Sequence, residues 1–208
     1  EFQDAKTVKI GQGKDATIIQ ADHVILANGS VPIELPFMPY DEHVISSREA
    51  LSLETLPKHV AIVGGGYIGL ELGITFRMLG SDVTVVEAMD SVLPIFDKEI
   101  RRPLEISIKK QKIKTHLGVF AKGAEPTKDG RVQLNFIDKN EKDEKKMQNI
   151  VVDKVLVTVG RKPNSASLAP TGVALDERGF VKVNDRCETN MKGVYAIGDV
   201  CDSGEMLA

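Results

Sequence analysis

The chain has 208 residues, 42% of them hydrophobic and 27% charged, which is enough to bury one core or two small ones. A formal net charge of -3 and a pI near 5.9 provide no broad cationic field, which argues against nucleic acid or an anionic membrane surface as the main partner. No apolar run approaches the roughly 20 residues that cross a bilayer, and no basic-then-apolar leader opens the sequence, so a soluble, cytoplasmic protein with a small ligand is expected.

Residues 6–27 read as β structure: KTVKI, a turn at GQGKD, ATIIQ, then HVILA, which breaks at Gly29. Pro32, Pro36 and Pro39 withhold backbone donors, so residues 29–45 are expected to hold a crossover between domains. A short helix should follow, because Ser46 and Glu49 in SSRE stand at capping-box spacing. From Lys58 the pattern becomes strand (58–63), glycine turn, helix (67–79) stopped by Gly80, and strand (82–86). That is one βαβ unit, expected to cross over with the right hand. Asp97 is placed to cap a further helix reaching Gln111, which Pro103 should kink or shorten. Strands are expected near 117–124, 131–138 and 147–152, and the mixed-sign tip DKNEKDEKK (138–146) reads as a solvated hairpin end. A last apolar strand, KVLVTVG, ends at Gly160 before RKPN. After a loop-rich stretch with ERGF, the strand in GVYAIGDV stops at Gly198 and Asp199. The pattern defines an α/β fold with a Rossmann-like parallel sheet, helices and a β-meander.

In GGGYIG, residues Gly64, Gly66 and Gly69 satisfy G-x-G-x-x-G. Gly64 permits the tight turn, Gly66 lets the backbone approach a pyrophosphate, and Gly69 lets the helix pack closely on the strand. The helix then offers unpaired N–H groups and its positive dipole end to phosphate. Glycine turns also arise for packing alone, but here the motif follows a strand, opens a helix, and is followed by VTVVE, ending in Glu87 eighteen residues beyond Gly69. A carboxylate there accepts hydrogen bonds from both ribose hydroxyls and repels a 2′-phosphate. Neither Arg nor Lys lies between Glu87 and Asp97, and Asp90 adds negative charge, so the spacing favours NAD over NADP. It does not separate NAD from FAD, which present the same adenosine ribose, and it leaves Tyr67 and Glu71 open between packing and ligand contact.

Cys187 and Cys201 lie fourteen positions apart without C-x-x-C or metal-like spacing, and read as structural thiols of a reducing compartment. His23, His43, His59 and His116 are scattered with no partner at ligand spacing, so no metal site is expected.

Taken together, HVAIVGGGYIGLELG, GSDVTVVE, LVTVGRKPN, ERGFVKV and VYAIGDV, with the closing MLA, run from about residue 17 in an order that resembles the flavoprotein disulfide reductases, in particular those acting on dihydrolipoyl groups. The resemblance implies NAD on Gly64, Gly65, Gly66, Tyr67, Ile68, Gly69, Leu70 and Glu71, with Glu87, Ala121 and Gly160. It implies that Tyr67 covers the flavin until nicotinamide displaces it, and that Glu71 stands near the nicotinamide ring. It also implies FAD on Asn28, Gly29 and Ser30, on Asp199 at the flavin ribitol, and on Met206, Leu207 and Ala208. Asn28 stands where the family's ATGS has Thr, a change that keeps a donor and an acceptor. Residues 1–35 then look like the end of a first FAD-domain segment, 36–45 a crossover linker, 46–162 an inserted NAD-binding domain and 163–208 the return to the FAD domain.

The same resemblance implies NAD(H) and a lipoyl-bearing protein of a 2-oxo acid dehydrogenase complex as partners, and a homodimeric whole enzyme. The family's C-x-x-x-x-C pair, its N-terminal glycine motif for FAD, and the His and Glu that activate the thiol have no counterpart in these residues. Catalytic residues are therefore expected to lie elsewhere, and the chain to be an inactive piece of a longer enzyme. The alternatives are an NAD-using relative with another disulfide or metal substrate, and a standalone NAD-binding module.

Overall fold

The computed structural model describes residues 1–201. The chain opens with β1 (Phe2–Asp4), β2 (Thr7–Ile10) and β3 (Thr17–Gln20), an antiparallel meander in that order, followed by β4 (Val24–Leu26) and β5 (Ser30–Pro32). Next come β6 (Val44–Ile45), the one-turn helix α1 (Ser47–Ala50), β7 (His59–Val63), α2 (Tyr67–Leu79), β8 (Asp82–Glu87), α3 (Lys98–Lys110) and β9 (Lys114–Leu117). The strands β10 (Val119–Pro126), β11 (Val132–Asp138), β12 (Gln148–Val152) and β13 (Lys154–Val157) lead to β14 (Arg161–Pro163) and β15 (Val194–Ala196). The elements fall into two compact units, Pro32–Gly160 and, separately, Glu1–Val31 with the chain from Arg161 onward. Among the described residues no helix is long and apolar enough to cross a membrane.

In the Pro32–Gly160 unit the strands β6-β13-β7-β8-β9 form one sheet, every pair parallel. Side chains alternate across a strand, so Val60 and Ile62 of β7 face one way and Ala61 and Val63 the other. The first pair meets Ala50 of α1, Leu70 and Phe76 of α2 and Ile108 of α3. The second meets Val132, Leu134, Phe136 and Val152 of the antiparallel meander β10-β11-β12. The result is three layers: helices, parallel sheet, meander. Coverage on both faces explains why HVAIV and KVLV are apolar without alternation.

Local signals set most element ends. Ser46 and Glu49 form the expected capping box on α1, and Gly80 ends α2 in the left-handed region at φ 112°. Asp97 occupies the N-cap of α3 but its side chain makes no capping hydrogen bond, and α3 runs through Pro103 to Lys110 without being shortened. The strand read as KVLVTVG stops at Val157, and β9 is a strand in addition to those expected. The proline-rich segment enters the core of this unit: Met38 is 1% exposed beneath the meander, and Val44 and Ile45 form the sheet's edge strand.

In the other unit β4 and β15 pair in parallel, and β14 pairs with β5. Val24, Leu26, Val194 and Ala196 pack on Leu168, Val173, Val181 and Val200. On the opposite face of the β4–β15 pair Ile25 is 60% exposed beside half-buried Tyr195, whose ring lies 5.9 Å from that of His23, and Ile197, just past β15, is 44% exposed.

Candidate functional site

Chain order reverses beside β7: β8 follows it on one side, whereas its neighbour on the other side is β13. Open parallel sheets bind ligands at such a switch point, outside the carboxyl ends of the strands. The carboxyl ends here deliver Gly64 after β7 and Thr158 after β13. Thr158 donates through its N to the Val63 carbonyl at 2.8 Å and through Oγ1 to the Gly64 carbonyl at 3.0 Å. Gly64 has φ 106°, and a Cβ on it would lie 2.5 Å from the Thr158 carbonyl oxygen. A Cβ on Gly69 would overlap the Gly64 carbonyl oxygen and sit 2.5 Å from Thr158 Oγ1. Packing alone therefore demands two of the three glycines.

The third is different. Gly66 has an ordinary φ of -75°, and a Cβ on it would meet nothing within 4 Å. As the N-cap of α2 it lacks a side-chain cap, and among the described residues its N–H makes no internal hydrogen bond. Its small size answers to space outside the protein, at the positive end of a thirteen-residue helix.

Glu87 closes β8 with 8% exposure, and its carboxylate accepts from Gly65 N at 2.5 Å through Oε2 and from Met89 N at 2.7 Å through Oε1. Each oxygen keeps a further lone pair for a hydroxyl. The loop after β8 folds back on the glycines, with Leu93 N donating to the Gly65 carbonyl at 2.8 Å. Gly118 N donates to the Met89 carbonyl at 2.9 Å, which ties the start of β10 to the same end of the sheet. Ala121, in β10, is half-buried against the sheet–meander core. Gly160, at φ 133°, follows β13 and accepts from Ile33 N at 3.0 Å. Tyr67 and Glu71 share one face of α2, four residues apart; Tyr67 packs half-buried on the helix-side core and Glu71 is exposed. Ile68 is half-buried, and the Leu70 side chain, 3% exposed, belongs to the core, so only its backbone is free to meet a ligand.

The second group of residues gathers in the other unit, where β4 and β15 end side by side. Ser30 Oγ donates to Asp199 Oδ2 at 2.6 Å and accepts from Arg161 Nε at 2.7 Å, while Arg161 Nη2 donates to the Ser30 carbonyl at 2.8 Å. Asn164 N donates to the Gly29 carbonyl at 2.9 Å and its side chain to the Asn28 carbonyl at 3.2 Å. Met206, Leu207 and Ala208 lie outside the described residues. Sequence reasoning missed Thr158, Leu93 and Arg161. Arg161 was visible in RKPN, whereas the other two contact the glycines from the far ends of apolar runs and carried no local signal. Cys201 is buried, with its Sγ donating to the Gly198 carbonyl at 3.3 Å, and Cys187 is half-buried.

A parallel sheet with a glycine loop at its switch point and a buried carboxylate at the end of the second strand is the arrangement of a Rossmann-like α/β protein. The chain belongs to the pyridine nucleotide-disulphide oxidoreductase family, whose pattern it matches over residues 1–208. It is 39% identical to the dihydrolipoyl dehydrogenase of Haloferax volcanii over 213 residues, covering 100% of this chain and 44% of that protein. It is 42% identical to the dihydrolipoyl dehydrogenase of Trypanosoma brucei brucei over 204 residues, covering 97% of this chain and 42% of that one. Among solved structures it is similar to the HOCl-induced flavoprotein disulfide reductase RclA of Escherichia coli (TM-score 0.84, 27% identity, 100% of this chain and 45% of that one). It is also similar to LpdA of Mycobacterium tuberculosis (TM-score 0.80, 28% identity, 93% of this chain and 40% of that one). The chain thus spans less than half the length of these relatives.

Proposed function

We propose that this chain is the NAD-binding portion, with part of the FAD-binding portion, of a longer dihydrolipoyl dehydrogenase that works in the cytoplasm as a homodimer. Residues 46–162 would bind NAD, 1–35 and 163–208 would contribute to the FAD site, and 36–45 would link them. The observation that carries most weight is the bond from Gly65 N to Glu87 Oε2 at the switch point, which joins the phosphate loop to the carboxylate that selects the ribose. The pyrophosphate would lie over Gly66, whose missing side chain and free N–H fit it, and would face the positive end of α2. Glu87 would accept from the adenosine ribose hydroxyls while its two backbone donors hold it in place, and would repel a 2′-phosphate.

Tyr67 would cover the flavin until nicotinamide replaces it, with Glu71 beside the ring; Ala121 and Gly160 would complete the NAD contacts. On the FAD side, Asp199 would accept from a ribitol hydroxyl, oriented by Ser30, which Arg161 fixes from behind. Asn28 and Gly29 belong to the same strand end, which Asn164 pins. FAD, when bound, would supply the hydride-transfer chemistry that links NAD to a redox disulfide reduced by a dihydrolipoyl group of a partner protein. No residue of this chain is assigned to the disulfide step.

The test is a fluorescence titration of the chain with NADH and NADPH. Like-charge juxtaposition costs several kcal/mol, so NADH should bind at least about tenfold tighter. Equal affinities, or tighter NADPH, would remove the role given to Glu87. The similarity to RclA keeps a second member of the family in view, a flavoprotein disulfide reductase with another disulfide or metal substrate. Lack of dihydrolipoamide-dependent NAD reduction by the intact protein would favour it.

A further inference from the structure

We infer that Leu93 is a positioning residue for the dinucleotide, acting through the Gly65–Gly66 peptide; this rests on the NAD site proposed above. Leu93 has φ 47°, in the left-handed region that side-chain-bearing residues avoid, and is followed by Pro94, which restricts the preceding residue further. A backbone held there needs compensation from its surroundings. Two features supply it: the Leu93 side chain, 8% exposed, is buried in the helix-side core, and its N–H donates to the Gly65 carbonyl at 2.8 Å.

The consequence follows from peptide geometry. In a trans peptide the carbonyl and the following N–H point in opposite directions. Thr158 Oγ1 holds the Gly64 carbonyl at 3.0 Å, and Gly65 N, at the other end of that peptide, reaches Glu87 Oε2 at 2.5 Å. In the next peptide the carbonyl of Gly65 is held by Leu93, so the N–H of Gly66 must point the other way, where among the described residues it has no partner. Leu93 thereby aims the Gly66 N–H outward before any ligand arrives. An anion binding there avoids the cost of ordering a flexible glycine peptide.

Two substitutions separate backbone from packing. Leu93→Gly keeps the left-handed conformation accessible and removes the side chain. Leu93→Ile keeps the apolar volume and disfavours the conformation, because β-branched residues avoid positive φ. The 208-residue chain and both variants are titrated with NADH and with adenosine, and their melting temperatures are measured. Leu93→Gly should melt well below wild type yet bind NADH within about threefold of it, since the hydrogen bond survives. Leu93→Ile should melt higher than Leu93→Gly yet bind NADH about tenfold more weakly, as expected for one weakened hydrogen bond to a charged group. Its affinity for adenosine, which has no pyrophosphate, should not change. NADH affinities that follow melting temperature across the three proteins, or an equal loss for adenosine, would overturn the role of Leu93 and leave the NAD site standing. A wild-type chain that binds adenosine and NADH equally would overturn both.

Discussion

Replacing Gly66 by Ala adds one methyl group where the folded chain has room for it. The site has φ -75° and ψ -179°, open to any residue, and the new Cβ would touch nothing within 4 Å. Because Gly66 is the N-cap of α2, where Ala is less favourable than Gly, the change should cost about 0.5–1 kcal/mol, or roughly 1–4 °C in melting temperature for a chain of this size. Ligand affinity should respond very differently. A methyl group there holds the pyrophosphate away from the Gly66 N–H, and a hydrogen bond to a charged group contributes about 1.5–3 kcal/mol, so NADH affinity should fall roughly ten- to hundredfold. Gly69→Ala supplies the contrast. Its Cβ would press on the Gly64 carbonyl and on Thr158 Oγ1, both part of the loop's own bonding. Overpacking of about 1–3 kcal/mol plus about 1 kcal/mol for the displaced Thr158 bond should lower the melting temperature by roughly 5–15 °C. Thermal melts beside NADH fluorescence titrations read both quantities. If Gly66→Ala bound NADH like wild type, the open space at Gly66 would not be the pyrophosphate position. If it melted as low as Gly69→Ala, Gly66 would be a packing glycine after all.

The ion pair of Lys139 Nζ with Asp90 Oδ1 at 2.6 Å brings a cation to the loop beyond Glu87 and neutralises it there. Asp90→Ala should free that charge and raise NADPH affinity about two- to fivefold, the scale of an exposed ion pair, with an effect that fades in high salt. The gain should vanish in Asp90→Ala/Lys139→Ala, and persistence in the double variant would exclude Lys139 as its source. A pH dependence should arise from two histidines, His59 at the start of β7 and His116 in β9. Burial holds the His59 imidazole below its ordinary value of 6.5, and that of His116 likewise. The unfolded chain then takes up protons first as pH falls, so stability is complete above 6.5 and declines from there toward the depressed folded values. Melting temperatures between pH 8 and 5 should show this fall, and His59→Gln, which can still reach Thr84, should reduce it; an unchanged slope would assign the effect elsewhere.

The βαβ segment was legible because all of its signals are local: a continuous apolar strand, glycines at fixed offsets, a helical period, and a glycine stop. Glu87 was legible by spacing from the glycines, and Ser46 by its partner three residues on. Partners brought from a distance were not. Lys139 lies 49 residues from Asp90 and sits in a charged tip that reads as solvated, and Thr158 is ordinary in an apolar run. The β9 strand was hidden because KTHL is largely exposed and lacks any apolar alternation. The continuation of α3 through Pro103 is a matter of magnitude. Proline in a helix costs about 3 kcal/mol, whereas burying Leu104 and Ile108 against the sheet returns about 1.5–3 kcal/mol each. Leu104 and Ile108, four residues apart, carry the buried face of that helix, while Arg101 and Glu105 beside them are half-buried charged residues.

The exposed side chains of Ile25 and Ile197 have a practical corollary. A two-stranded parallel ribbon with an apolar side open to water invites a neighbouring molecule to supply the next strand or the covering layer. Preparations of these 208 residues on their own should therefore scatter light increasingly with concentration, with the β4–β15 ribbon as the adhesive surface. Polar replacements at Ile25 and Ile197, which support no internal packing on that side, are the changes that would keep the sample monodisperse while leaving the glycine loop untouched.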